Sequence, residues 1–113
     1  MAFKRTLTKN VTNTPTVVYT FTGPASDTLI GMRVTNTTAA PIKVSAAVKN
    51  SGIDYYLIGG VTVGTMGADV PAGASIIIIN GDIDKVVLET GDTVVVTSSV
   101  ATSADVIISA LTQ

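Results

Sequence analysis

The chain has 113 residues, of which 46% are apolar and 13% charged, with a formal net charge of −1 and neither cysteine nor histidine. That length suits a single domain over residues 1–113. The missing Cys and His exclude a disulfide scaffold, thiolate or imidazole metal sites and the usual nucleophile and proton-transfer pairs, so no catalytic residue and no cofactor are expected.

The charged fraction is well below the ~25% of a typical soluble domain. A domain of this size buries roughly 60–70% of its unfolded surface, so the apolar supply exceeds what one small core can hide. The surplus predicts burial against other chains. No apolar run approaches the ~18–20 residues of a membrane-spanning helix, and "MAFKRTLTKN" has no apolar stretch of the secretory type. No membrane partner is expected.

Valine, isoleucine and threonine recur in short runs between Gly, Pro, Asn and Asp clusters, which is a strand-and-turn pattern. A first strand at about 3–8 overlaps a basic terminus, residues 1–10. This terminus reads as a flexible arm, with Lys4 and Arg5 reaching an acidic patch on a neighbour. Three cations without interleaved aromatics are a weak nucleic-acid signal, and no direct nucleic-acid contact is expected.

Strands at 15–22, 28–37 and 41–49 follow, separated by the polar breaks "TGPASD" (22–27) and "NTTAAP" (36–41). "KNSGID" (49–54) supplies a glycine for a positive-φ turn. A strand at 54–63 carries Tyr55 and Tyr56 on opposite faces, which predicts one in the core and one at the surface or an interface. "GTMGAD" (64–69) reads as a loop.

Strands at 74–80, 84–89, 92–99 and 104–111 complete the chain, with "NGD" (80–82) and "TGD" (90–92) as hairpin turns. About nine short strands predict an all-β fold, an antiparallel sandwich of jelly-roll-like type.

Four consecutive isoleucines sharpen the expectation of a partner. Alternation sends Ile76 and Ile78 one way and Ile77 and Ile79 the other, so neither face of that strand is polar. Val94, Val95 and Val96 pose the same problem, as do Val86, Val87 and Leu88, and Val106, Ile107 and Ile108. Burying an isoleucine stabilises by ~1.5–3 kcal/mol. One face is therefore expected in the core and the other against a second chain. The candidate interface residues are the outward members of 76–79 and 94–96, with Tyr55 or Tyr56 nearby.

Asp82, Asp84 and Glu89 form either a solvated turn or an oxygen-rich calcium site; they do not match an EF-hand loop. Residues 1–50 carry six cations against Asp27 alone, and residues 51–113 carry seven acids against Lys85 alone. These halves either pair within one fold or meet between copies.

The order "FKRTLTKNV", "IGMRVTNTTAAPIKVSAAV", "DYYLIGG", "PAGAS" and "DKVVLETGDTVVVTSSVATSADVIISAL" resembles small virion structural proteins of tailed bacteriophages, including those of cyanobacteria. It departs from that pattern at "VTVGTMGADV" (61–70), which is longer. The resemblance implies a non-enzymatic particle component assembled in the bacterial cytoplasm. Capsid decoration (cement) is the leading role. A neck, tail, baseplate or fibre-associated part, or a small carbohydrate-binding module, is the alternative. Its implied partners are the major capsid protein or other virion proteins. A homo-oligomer, by analogy a trimer, is also implied.

Overall fold

A computed structural model describes residues 2–21, 25–59, 67–81 and 85–112. Among the described residues there is no helix, and ten strands form two antiparallel five-stranded sheets. The strands are β1 (Ala2–Val11), β2 (Thr16–Thr20), β3 (Asp27–Asn36), β4 (Ile42–Asn50), β5 (Ile53–Ile58), β6 (Ala68–Val70), β7 (Ser75–Asn80), β8 (Val86–Leu88), β9 (Thr93–Ser98) and β10 (Ala104–Thr112).

The first sheet runs β1-β10-β3-β7, with β8 continuing the β7 edge along β3. The second runs β2-β9-β4-β5, with β6 sharing the β5 edge of β4. The pairings are nested: β4 with β5 and β6, β3 with β7 and β8, β2 with β9, and β1 with β10. The β10–β3 and β9–β4 pairings then roll this long hairpin into two layers. That is jelly-roll topology, as the strand pattern predicts.

The core lies between the sheets. Leu29, Met32, Val34, Ile79, Leu88, Val106 and Ile108 of the first sheet face Val44, Ala46, Val70, Val94 and Val96 of the second. One cross-sheet tie is polar: the Tyr19 hydroxyl donates to the Asp27 carboxylate at 2.8 Å, with both residues buried. Burial, reinforced by that carboxylate, pushes the Tyr19 phenol far above its ordinary value of 10.0.

At the other end Asn36 is saturated. Its amide donates to the carbonyls of Ala40 (2.8 Å) and Val70 (3.0 Å), and its oxygen accepts from the Thr38 amide and hydroxyl. Ser98 and Ser103 share a buried hydroxyl contact of 2.5 Å nearby.

Turn chemistry follows the sequence at "KNSGID". Ser51 and Gly52 both have positive φ (52° and 79°), which makes the β4–β5 connection a two-residue type I′ hairpin turn. Neither "TGD" nor "NGD" joins the hairpin expected of it: β8 and β9 lie in different sheets, and β7 and β8 both pair with β3. The Asp92 carboxylate closes the β8–β9 turn by accepting from the Glu89 amide at 2.8 Å and the Asn50 side chain at 2.6 Å.

Several expectations need correction. Residues 2–11 are not a free arm but a full edge strand paired with β10 from Ala2↔Thr112 to Val11↔Ala104. Lys4 sits over the Tyr19 ring, its ammonium 4.7 Å from the centroid. Residues 68–70, read as loop, form β6, because Ile42 and Val44 of β4 leave an edge that Val70 and Ala68 cover. The ion pairs Lys9–Asp105 (3.1 Å) and Lys43–Asp69 (2.5 Å) each join a first-half cation to a second-half acid, so the two halves do pair within one fold.

Candidate interaction surface

The outer face of the first sheet is built backwards for a protein in water. Along β1, Lys4, Thr6 and Thr8 lie opposite Ala110, Ile108 and Val106, which are core residues. Partners in an antiparallel ladder share a face, so Lys4, Thr6 and Thr8 point inward. Phe3, Arg5, Leu7 and Lys9 point out. Phe3 is 81% exposed and Leu7 60%.

The register extends this face into three rows. The first is Leu7–Ile107–Arg33–Ile77, the second Arg5–Ser109–Gly31–Asn80, and the third Phe3–Leu111–Thr28–Val87. Ile77, Val87 and Ile107 are each about half exposed. Two apolar rows thus flank a middle row of small and polar residues.

The charges on these strands have one sign to spare. Asp105 is their outward carboxylate, and it is already occupied. Burial works against its charge, but the Asn10 amide at 3.1 Å and the Lys9 ammonium outweigh that and hold its pKa below the ordinary value. Among the described residues neither Arg5 nor Arg33 meets a carboxylate; Arg33 donates to the Ser75 hydroxyl at 3.3 Å.

The four isoleucines divide differently from simple alternation. Ile76 pairs with Val34 and Ile79 with Met32, while Ile77 pairs with Arg33, so the register slips between Ile77 and Ile79. This bulge turns Ile79 into the core, leaves Ile76 and Ile78 half-buried against it, and makes Ile77 the exposed member. The expectation that Ile77 and Ile79 share a face is corrected by that extra residue.

The 94–96 triplet supplies no anchor. Val94 and Val96 are core residues, and Val95, although outward on the second sheet, is only 7% exposed. It lies in the row Val17–Val95–Ala47–Tyr56, of which the two ends are accessible.

The tyrosines also depart from expectation. Tyr55 is 59% and Tyr56 41% exposed, so neither is in the core. The reason is position: β5 is an edge strand that packs along β4 and little else. Their opposite orientations prevent a shared stacking platform.

Asp82 and Asp84 lie outside the described residues. Among the described residues no group of three or more His, Cys, Asp or Glu could hold a metal ion, and no helix is long and apolar enough to cross a membrane. Phe3, Leu7 and Arg33 were not foreseen as surface residues, and Val87 and Ile107 were foreseen only as members of apolar triplets, not as anchors. The signal in β1 was weak, because Phe3 and Leu7 share their face with Arg5 and Lys9, and spacing alone does not say which face meets the core.

Comparison with known proteins found no matching family model, curated protein or solved structure.

Proposed function

We propose that this protein is a non-enzymatic structural component of a phage-type virion, a capsid decoration protein that docks through the outer face of its first sheet. The observation that carries this reading is the inverted first strand. A monomer has no reason to turn Phe3 and Leu7 to water and Lys4, Thr6 and Thr8 toward its core. A jelly roll by itself hosts many functions and decides nothing here. The exposed set, aliphatic and aromatic side chains with two arginines that meet no carboxylate among the described residues, has the composition of an interface core.

Each half-exposed aliphatic residue on the face has about 1 kcal/mol still to gain from burial. Such a contact is modest alone and effective when repeated over a lattice or multiplied in the trimer that the resemblance implies. The role is then mechanical: each copy bridges neighbouring coat subunits and resists their separation under the pressure of packaged DNA.

The test is a pair of particle preparations with and without this protein. Decorated particles should retain their DNA to higher temperature and through osmotic shock, and a subnanometre reconstruction should show the first sheet against the coat. If particles lacking the protein keep full stability but fail to attach to cells, the tail or fibre role replaces cement.

A further inference from the structure

Gly31 is out of place in its own fold. It lies within β3, paired on one side with Ser109 of β10 and on the other with Asn80 of β7. Glycine weakens a central strand and usually marks a bulge, a bend or the close approach of another group. The internal reasons do not apply. Its φ is not positive, unlike that of Gly52 or Gly91, so the neighbouring register slip does not need a left-handed residue. A Cβ placed there would meet only the Cβ of Ser109, at 3.8 Å, an ordinary contact. Nothing in the chain's own packing forbids a side chain.

Where that side chain is missing, the outer face carries a hollow of about 290 Å³. Gly31 and Ser109 form its floor, and Ile30, Ile77 and Ile107 line it. Arg33 stands on its rim, and Arg5 lies at the end of the same cross-strand row. We propose that this hollow is an anchor socket, taking one aliphatic side chain of the partner coat protein from a segment that carries carboxylates beside it. This rests on the docking role proposed above and names the chemistry of the partner.

The aliphatic character follows from the isoleucine walls, and the carboxylates from Arg5 and Arg33. A second copy of this chain docked face to face is disfavoured, because among the described residues it would set arginine against arginine with Asp105 already held by Lys9 and Asn10. The occupant is therefore a different, acidic surface.

The probes are three capped tripeptides, Glu-Leu-Glu, Lys-Leu-Lys and Glu-Ser-Glu, titrated into isotopically labelled full-length protein and followed by amide chemical shifts. Glu-Leu-Glu should shift Gly31, Arg33 and Ile107 saturably, with a dissociation constant on the order of 1 mM, and the other two should bind at least about fivefold more weakly. Gly31→Val, which puts a branched side chain suited to strands into the floor of the hollow, should keep the dispersed spectrum and lose the binding. Should that variant not fold, Arg33→Gln carries the test, by abolishing the preference for Glu-Leu-Glu over Lys-Leu-Lys.

Equal binding of all three peptides, no saturable shift at Gly31, or undiminished binding by folded Gly31→Val would each overturn the socket. Particle attachment separates this from the wider reading. If the wild type decorates particles and Gly31→Val does so equally, the socket fails and the decoration role stands. If the wild type attaches to no particle yet selects Glu-Leu-Glu, the decoration role fails and the socket stands.

Discussion

Aspartate placed at Ile77 and at Ile79, two positions apart on one strand, should give opposite results. Ile79 is fully buried against Met32 in the core, so Ile79→Asp forfeits ~1.5–3 kcal/mol of transfer free energy. It also strands a carboxylate in the core, at several kcal/mol more. A chain of this length has a total stability of about 6–17 kcal/mol, so the substitution removes most or all of it. Ile77 is half exposed and sits opposite Arg33, so Ile77→Asp loses about 1 kcal/mol of burial and regains part of it from the cross-strand charge pair. Urea unfolding followed by circular dichroism reads both variants. Ile79→Asp should be unfolded or barely folded in water, whereas Ile77→Asp should stay within about 1 kcal/mol of the parent. Attachment to particles should nevertheless be lost in Ile77→Asp, because the change neutralises Arg33 and places charge in an apolar row. Equal destabilisation by the two substitutions would refute the bulge that separates them.

Tyr19→Phe removes the buried donor to Asp27 and should cost ~1–3 kcal/mol by urea titration. Because the folded-state pKa of Tyr19 is raised, its contribution is fully present below the unfolded value near 10 and is lost as pH climbs toward the folded one. Ultraviolet titration should therefore show one tyrosine ionising only with alkaline unfolding, and Tyr19→Phe should lack it. Asn36→Ala deprives the Ala40 and Val70 carbonyls and the Thr38 amide of their partner and should lower stability by roughly 3 kcal/mol in the same urea assay. Ser51→Asn gives the type I′ turn its preferred Asn-Gly pair and should raise stability by up to ~1 kcal/mol, read as a higher thermal midpoint.

The strands were legible because β-branched runs and turn residues are local signals. All nine expected segments correspond to strands over their described residues, with 60–63 of the 54–63 segment lying outside these, and the Ser51–Gly52 turn has the conformation its glycine suggested. β6 escaped because three residues, Ala68, Asp69 and Val70, are too few to show a period, and their pairing depends on the β4 edge. The inside–outside assignment was harder. Register and bulges, which no local pattern encodes, decide that Ile79 is core and Ile77 surface. They also decide that Phe3 and Leu7 of β1 face away from the core and that Val94–Val96 are spent within the fold. The chain does leave large apolar side chains exposed, but partly on other strands than those named as candidate anchors.

The nested pairing of the strands also orders assembly in time. The β4–β5 hairpin closes across a two-residue turn, whereas Ala2 meets Thr112 across a separation of 110 residues. Loop-closure entropy makes the innermost pair the inexpensive place to begin, and topologies rich in distant contacts fold in milliseconds to seconds. β1 and β10 are then the last strands to zip, and they carry two of the four positions in every row of the docking face. An immature or misfolded copy consequently has no complete surface to offer. In the docking role proposed above, attachment would act as its own inspection step, admitting only finished molecules.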